Sequence, residues 1–330
     1  MHLNLHRLLA GIALCTLLLC GGTLAQEKTY KVMMILFRGA TLAETGFMDH
    51  LRGRLPVEFL VRDVAGVLGK TREFVEEARR ERVDLIYTFG TSVTLDVVGA
   101  AGKVDPAVHV TDIPVVFNIV ADPVGAGLAP AFAATGRNLT GVSHLVPMAD
   151  QLRAMQRFRQ VTKLGVIYNA SEPNSRLAVA QLRGLAAQFK FQLVEEAITS
   201  GPKPEAAEVA KAMQALIAAR PGFVYLPSDS SLIERAAAIV ELTRPAGIPI
   251  ISATEGPIRQ DGALMGLVSN YANAGTFAGY KAEQILRGKE AVRNIPIETL
   301  QRFTLLVNMT TAVQLGVYPP LDLIKIAELL

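Results

Sequence analysis

The stretch Val83–Val98 reads VDLIYTFGTSVTLDVV, and it predicts a strand that passes through a tight turn into a helix. Residues 85–89 are mostly apolar or aromatic without alternating polar positions, which is typical of a strand buried on both faces of a parallel sheet. Gly90 ends this strand, and the hydroxyls of Thr91 and Ser92 are candidate N-caps for the following helix. The positive end of that helix would lie at the carboxyl edge of the sheet, where open α/β folds bind ligands.

The same strand–loop–helix unit recurs along the chain in two series. Strands of the first series are predicted at residues 30–37, 57–64, 85–89 and 113–120. Strands that alternate with helices predict a doubly wound parallel sheet with right-handed crossovers. Gly136–Ser143 is polar and glycine-flanked, as connections between domains often are. A second series then runs to a helix predicted at 319–330, so we predict an α/β protein of two lobes with a cleft between them.

The first 25 residues have the pattern of a secretory signal peptide. An apolar block, Leu8–Leu19, is followed by small residues ending at Ala25, where we expect cleavage. Both cysteines of the chain, Cys15 and Cys20, lie in this segment, so we expect no disulfide and no thiol nucleophile in the mature protein. Lipid attachment at Cys20 is disfavoured by the large leucine that precedes it. The sequence therefore predicts a periplasmic protein.

Composition limits the classes of partner. Residues 26–330 are enough for two domains, because single hydrophobic cores stop growing at roughly 250–300 residues. Half of the residues are hydrophobic and the formal net charge of the whole chain is only +3. Because the chain has no run of five Lys or Arg residues, we expect neither nucleic acid nor an anionic membrane as a partner.

The sequence carries no recognisable catalytic or metal-binding motif. It contains no G-x-S-x-G elbow, no P-loop and no G-x-G-x-x-G. The histidines beyond the signal segment, His50, His109 and His144, are isolated and lack the spacing of metal ligands. We therefore expect no catalytic residue, no metal and no cofactor, and predict that the protein is not an enzyme.

Polar side chains cluster in the loops after the predicted strands, where α/β folds place ligand-binding groups. A hydroxyl-capped helix N-terminus suits an anionic group and a carboxylate suits a cation, so the set favours a small zwitterion flanked by aromatic rings. Each carboxylate taken alone is better explained as a helix cap or a first-turn acid. The polar set as a whole also fits a peptide fragment or a nucleobase-like solute. The candidate ligand-binding residues are Phe37, Arg38, Thr91, Ser92, Asn118, Asn169, Glu172, Ser175, Asp229, Ser230, Glu255 and Tyr271.

Five motifs follow one another over most of the chain beyond the signal segment. They are IPVVFNIVADPVGAGL at 113–128, NLTGVS at 138–143, VIYNASEPNS at 166–175, YLPSD at 225–229 and NMTTA at 308–312. Together they resemble the ABC-transporter substrate-binding proteins related to tryptophan and tyrosine transport components. The resemblance implies a type I periplasmic binding fold, in which two lobes joined by a multi-strand hinge close on a ligand.

The resemblance also implies roles for individual positions. Thr91 and Ser92 would bind a carboxylate, and Asp229 would bind an ammonium group. Tyr271 would lie near the second crossing between the lobes. The residues implied to line the cleft are Asn118, Asn169, Glu172 and Ser175. Arg38 departs from the usual polar loop after the first strand, and a second anionic group on the ligand becomes plausible if Arg38 points into the cleft.

Each predicted lobe combines separate segments. The N-terminal lobe comprises residues 26–141 and 270–292, and the C-terminal lobe comprises residues 142–269 and 293–330. We predict a monomeric solute-binding component of an ABC importer that presents a small amino-acid-like ligand, aromatic or branched, to an inner-membrane permease. The alternatives are a periplasmic ligand-sensing module for a membrane receptor and an extracytoplasmic enzyme on the same scaffold.

Overall fold

The structure is a computed structural model that describes residues 28–330, so the predicted signal peptide lies outside the described residues. Strands and helices are numbered in chain order. The first lobe contains strands β1 (Tyr30–Leu36), β2 (Val57–Asp63), β3 (Leu85–Phe89), β4 (Val115–Val120), β5 (Leu139–Ser143) and β11 (Glu298–Thr299). Its helices are α1 (Leu42–Arg52), α2 (Thr71–Arg80), α3 (Gly90–Val98) and α10 (Tyr271–Leu286).

The sheet of the first lobe is parallel throughout, in the order β2-β1-β3-β4-β5-β11. Its central strands β1, β3 and β4 are buried along almost their whole length, as their continuous apolar sequences predict. Helix α1 begins with a capping box in which Thr41 and Glu44 satisfy each other's backbone N–H groups. Helix α10 packs closely on α1, and a Cβ atom at Gly275 would come within 1.9 Å of the Ala43 carbonyl oxygen.

The second lobe is a seven-stranded sheet covered by helices. Its strands are β6 (Lys163–Asn169), β7 (Gln192–Ile198), β8 (Phe223–Leu226), β9 (Ile250–Ser252), β10 (Met265–Val268), β12 (Thr304–Val307) and β13 (Glu328–Leu329). Its helices are α4 (Met148–Phe158), α5 (Pro173–Leu185), α6 (Ala206–Ala218), α7 (Ser230–Ile233), α8 (Ala236–Thr243), α9 (Glu255–Arg259), α11 (Met309–Leu315) and α12 (Leu321–Ile324). The strand order is β13-β12-β10-β9-β8-β6-β7, and only the β10–β12 pair is antiparallel.

The chain passes between the lobes three times. The crossings follow β5, β10 and β11, at residues 144–147, 269–270 and 300–303. The third crossing lies beyond the boundary that the sequence places at 292/293, because Glu298 and Thr299 pair with Val142 and Ser143 at the edge of the first sheet. A two-residue strand carries no hydrophobic pattern, so its backbone pairing alone assigns it to this lobe.

Two further sequence predictions differ from the structure. The segment read as a connection, Gly136–Ser143, contains the buried strand β5, whose polar side chains are satisfied internally: Thr140 donates to the Pro296 carbonyl and Ser143 to the Ala121 carbonyl, both at 3.0 Å. The helix predicted at 319–330 is only the single turn α12, because the chain then forms β13 on the edge of β12. Within residues 28–330, no helix has both the length and the apolar character to cross a membrane.

Candidate functional site

A cavity of about 320 Å³ lies between the two lobes, a volume within the range of small-molecule sites. Its lining residues are Arg38, Ala40, Thr41 and Leu42 from the first lobe, Ile233, Glu234, Thr254, Glu255, Gly256, Arg259, Gln260 and Asp261 from the second, and Tyr271 at the second crossing. A larger cavity of about 800 Å³ beside the crossings is mostly apolar, and Asp122 is the one charged residue in its lining. The smaller, more charged cavity is therefore the candidate ligand site.

A small pocket adjoins this cavity at the N-terminus of α3 and shares Arg38, Ile233 and Tyr271 with it. Gly90, with a φ of 79°, makes the turn from β3 directly into the helix. The prediction that Thr91 or Ser92 caps this helix is wrong, because the helix already begins at Gly90 and both residues lie within its first turn. Thr91 lines the pocket and accepts a hydrogen bond from the Ala121 N–H at 3.3 Å, whereas Ser92 is half-buried and lines neither space.

Asn118 and Ile119 form an irregular end to β4 beside this pocket. The register with β5 shifts here, and Ile119, which lines the pocket, has a φ of 55° that β-branched residues rarely adopt. The fully buried Asn118 uses its Oδ1 to accept from the Ile119 N–H at 2.9 Å, and its Nδ2 has no hydrogen-bond partner of normal geometry among residues 28–330. Backbone strain of this kind concentrates at functional sites.

The Asp229 carboxylate is fully buried and accepts four hydrogen bonds from the protein itself. Its Oδ1 accepts from the Ser231 hydroxyl and the Leu232 N–H, at 2.7 and 3.0 Å. Its Oδ2 accepts from the Asn169 N–H and the Ser175 hydroxyl, at 2.8 and 2.6 Å. These four donors occupy the lone pairs that a ligand ammonium group would need, so the geometry favours Asp229 as the cap of α7.

Glu172 makes a similar internal arrangement beside Asp229. Its two oxygens accept from the backbone N–H groups of Ser230 and Ser231, at 3.1 and 3.0 Å, and Asn174 also donates to it. Burial and the nearby Asp229 charge raise the pKa of Glu172, while the three donors oppose that shift. Both side chains therefore stabilise the single turn of α7 by accepting hydrogen bonds from its backbone N–H groups.

Glu255, Tyr271 and His144 meet where the chain crosses between the lobes. Glu255 lines the cavity and accepts from the backbone N–H of Tyr271 at 2.9 Å. The ring of Tyr271 meets the His144 ring edge to face, with centroids 5.7 Å apart. His144 is buried, lies 3.0 Å from the Ser228 hydroxyl through Nε2, and has no partner for Nδ1 within residues 28–330. Desolvation lowers the pKa of His144 to about 4, so the ring is neutral at pH 7.

The sequence-predicted residues thus fall into three groups. Arg38, Thr91, Ser230, Glu255 and Tyr271 line the cavity or its adjoining pocket. Asn118, Asn169, Glu172, Ser175 and Asp229 are buried and hydrogen-bonded to the protein. Phe37 packs in the core of the first lobe and Ser92 lies outside both spaces. No group of three or more His, Cys, Asp or Glu side chains within residues 28–330 is arranged to hold a metal ion.

His144, Glu234 and Asp261 are among the site residues that escaped the sequence analysis. His144 follows a strand that the sequence did not reveal, so its position at a crossing was hidden. Glu234 lies one turn into the helical segment after Asp229, and Asp261 follows a helix that the sequence did not predict. Both acids follow a short helix rather than a strand, and nothing in the local sequence indicated that they line the cavity.

The family model of ABC transporter substrate binding proteins matches residues 67–329. The chain belongs to this family. Its fold is the type I periplasmic binding fold, and it is the solute-binding component of an ABC importer, which binds a small molecule outside the cytoplasm for a membrane permease.

Several known proteins are similar to this family member. A tyrosine-binding protein of Clostridioides difficile (strain R20291) is 28% identical over 272 residues, covering 82% of this chain and 72% of that protein. A conserved domain protein from Vibrio cholerae has a similar structure, with a TM-score of 0.81 and 23% identity over 92% of this chain and 99% of that chain. An ABC domain from Streptococcus pneumonia in complex with L-Trp gives a TM-score of 0.80 and 21% identity over the same shares of the two chains.

Proposed function

We propose that this ABC substrate-binding protein carries an amino acid in the cavity between its lobes. The observation that carries the proposal is the charge distribution of the cavity, which has Arg38 on the first lobe and acidic side chains on the second. A zwitterion that contacts both walls favours the closed arrangement, since it binds that state better than an open one. The similarity to a tyrosine-binding protein supports an amino-acid ligand.

The proposal includes the location and state of the working protein. After cleavage near Ala25 it acts in the periplasm as a monomer, without a lipid at Cys20 and without catalysis. It gives its ligand to a permease in the inner membrane rather than to a membrane receptor. Support comes from the signal-like sequence of the first 25 residues and from the membership of a substrate-binding family.

A thermal-shift screen of the purified protein tests the ligand class. The panel contains the twenty amino acids, short peptides, purines and myo-inositol. A ligand that binds only the folded state stabilises it by about 2.7 kcal/mol at a hundredfold excess over its Kd, which shifts the melting temperature measurably. A shift with one amino acid supports the proposal, and a shift confined to peptides, purines or myo-inositol overturns it.

A further inference from the structure

Three charged side chains around the interlobe cavity have no counter-ion in hydrogen-bonding contact among residues 28–330. The Nε atom of Arg38 is buried without a hydrogen-bond partner among residues 28–330, and its guanidinium lies over the Phe89 ring, 5.9 Å from the centroid. Glu234 and Asp261 face the same cavity and form neither a side-chain hydrogen bond nor an ion pair with the described residues. Glu234 is exposed and Asp261 half-buried, and both share the cavity lining with Arg38. Partial desolvation raises the pKa of both carboxyls; the Arg38 charge opposes both shifts, and Arg235 and Lys203 also oppose that of Glu234.

The other charged groups of the site already have partners. Asp229 accepts four hydrogen bonds and Glu172 three from donors in and around α7. Glu255 pairs with Arg259 at 3.2 Å, and Arg259 also pairs with Glu328 at 2.8 Å. Charge that is free to meet a ligand therefore lies on Arg38, Glu234 and Asp261.

A fourth polar group of the cavity is also free. Tyr271 is 6% exposed, borders both the cavity and the adjoining pocket, and its hydroxyl makes no hydrogen bond with residues 28–330. The adjoining pocket at Thr91 measures about 10 Å³, roughly the space for one water molecule. A ligand carboxylate therefore fits beside Arg38 in the 320 Å³ interlobe cavity and not in the pocket at the N-terminus of α3.

We propose that Arg38 binds the α-carboxylate of the ligand and that Glu234 and Asp261 bind its ammonium group. This assignment rests on the proposed function and replaces Asp229 as the ammonium-binding residue. A guanidinium forms two parallel hydrogen bonds with a carboxylate, which makes Arg38 a specific anchor. Because the anchor and the two acids belong to different lobes, only a ligand that carries both charges at the right separation bridges the lobes.

Isothermal titration of the purified protein with L-tyrosine, tyramine and 3-(4-hydroxyphenyl)propanoate tests the assignment. Tyramine lacks the carboxylate and the propanoate lacks the ammonium group. We expect Arg38→Gln to weaken L-tyrosine roughly 10- to 100-fold and to leave tyramine within a few-fold of its wild-type affinity. The Glu234→Gln/Asp261→Asn double variant should weaken L-tyrosine and tyramine and leave the propanoate unchanged. If the screen selects another amino acid, its own decarboxylated and deaminated forms replace these probes.

Matched variants separate a binding role from a structural one. Arg72→Gln removes one positive charge and Glu58→Gln one negative charge from exposed positions outside the cavity, and both should leave all three affinities unchanged. Arg38→Lys keeps the charge without the planar fork and should recover only part of the L-tyrosine affinity. Circular dichroism and melting temperature of each variant confirm that it folds.

Two results would overturn the assignment. One is a wild-type protein that binds L-tyrosine while Arg38→Gln weakens L-tyrosine and tyramine equally or not at all. The other combines two measurements on Arg38→Gln: small-angle scattering shows that the ligand-free variant differs in radius of gyration from the wild type, and the tyrosine-to-tyramine affinity ratio is unchanged. Arg38 would then hold the lobes together by pairing directly with the acids. A wild-type protein that binds no amino acid is a separate outcome and removes the proposed function itself.

Discussion

Glu255 of the second lobe holds the N-terminus of α10 by accepting the backbone N–H of Tyr271 at 2.9 Å. Tyr271 is the first residue of this sixteen-residue helix, so its N–H has no partner inside the helix. A carboxylate at this end also interacts favourably with the helix dipole. Because α10 returns the chain to the first lobe, the bond ties the second lobe to the helix on which the first lobe packs.

Glu255→Ala should therefore lower the free energy of unfolding by about 1–3 kcal/mol, because it leaves the buried Tyr271 N–H without an acceptor. Denaturant titration measures the change. Glu255→Gln is the matched control, since its amide oxygen can still accept from Tyr271, and it should recover most of the loss. Equal destabilisation by both variants would show that the ion pair with Arg259 matters and the Tyr271 bond does not.

Asp229→Ala should destabilise the fold by about 2–4 kcal/mol. It removes a helix cap and leaves the buried donors of Asn169 and Ser175 without an acceptor. This contrasts with the role that the resemblance implies, for which removal of the ammonium partner would cost affinity with little loss of stability. Urea midpoints of Asp229→Ala and of the exposed control Asp105→Ala measure it. An unchanged midpoint together with lost amino-acid binding would restore Asp229 as the ammonium-binding residue.

The contribution of His144 to the unfolding free energy should fall as the pH drops from about 6.5 to 4, whereas the raised pKa values of Glu172, Glu234 and Asp261 act in the opposite direction. The unfolded histidine binds a proton below its ordinary pKa of about 6.5, whereas the buried ring stays neutral until about pH 4. The unfolded state then binds more protons, which lowers stability by up to about 3 kcal/mol. His144→Gln removes this titration, so the unfolding free energy of the wild type relative to that of His144→Gln should fall as the pH is lowered in chemical denaturation at pH 7, 6, 5 and 4.5. Parallel profiles for the two proteins would contradict the prediction.

Gly275→Ala should destabilise the first lobe by about 3 kcal/mol or more, since the new methyl group would overlap the Ala43 carbonyl and push α10 away from α1. Gly184→Ala is the control in another helix, where an added Cβ meets nothing within 4 Å. That change should stabilise the protein by roughly 0.4–1 kcal/mol, because alanine restricts the unfolded chain. Thermal unfolding measures both changes: a lower melting temperature for Gly275→Ala and a higher one for Gly184→Ala would confirm the two expectations.

The sequence predicted the parts of the fold that depend on neighbouring residues. The buried strands β1 and β3 were evident from continuous apolar runs. Strands β5 and β11 were not evident, because a polar segment and a two-residue segment became strands only by pairing with distant segments, β5 with β4 and β11 with β5 at the sheet edge. Helix α9 and the short strand β13 likewise depend on neighbours far away in the chain.

For the site, the sequence by itself determined that polar groups gather in the loops at strand ends, and that Arg38 and Tyr271 belong among them. Tertiary structure alone decided which of these groups remain free. Asp229 and Arg38 look equally available in the sequence, but Asp229 accepts from Asn169, 60 positions earlier, whereas the guanidinium of Arg38 faces the cavity with its Nε unpaired. The reason is physical: caps and hydrophobic periodicity are local interactions, whereas the partners of a buried charge come from segments that only the folded chain brings together.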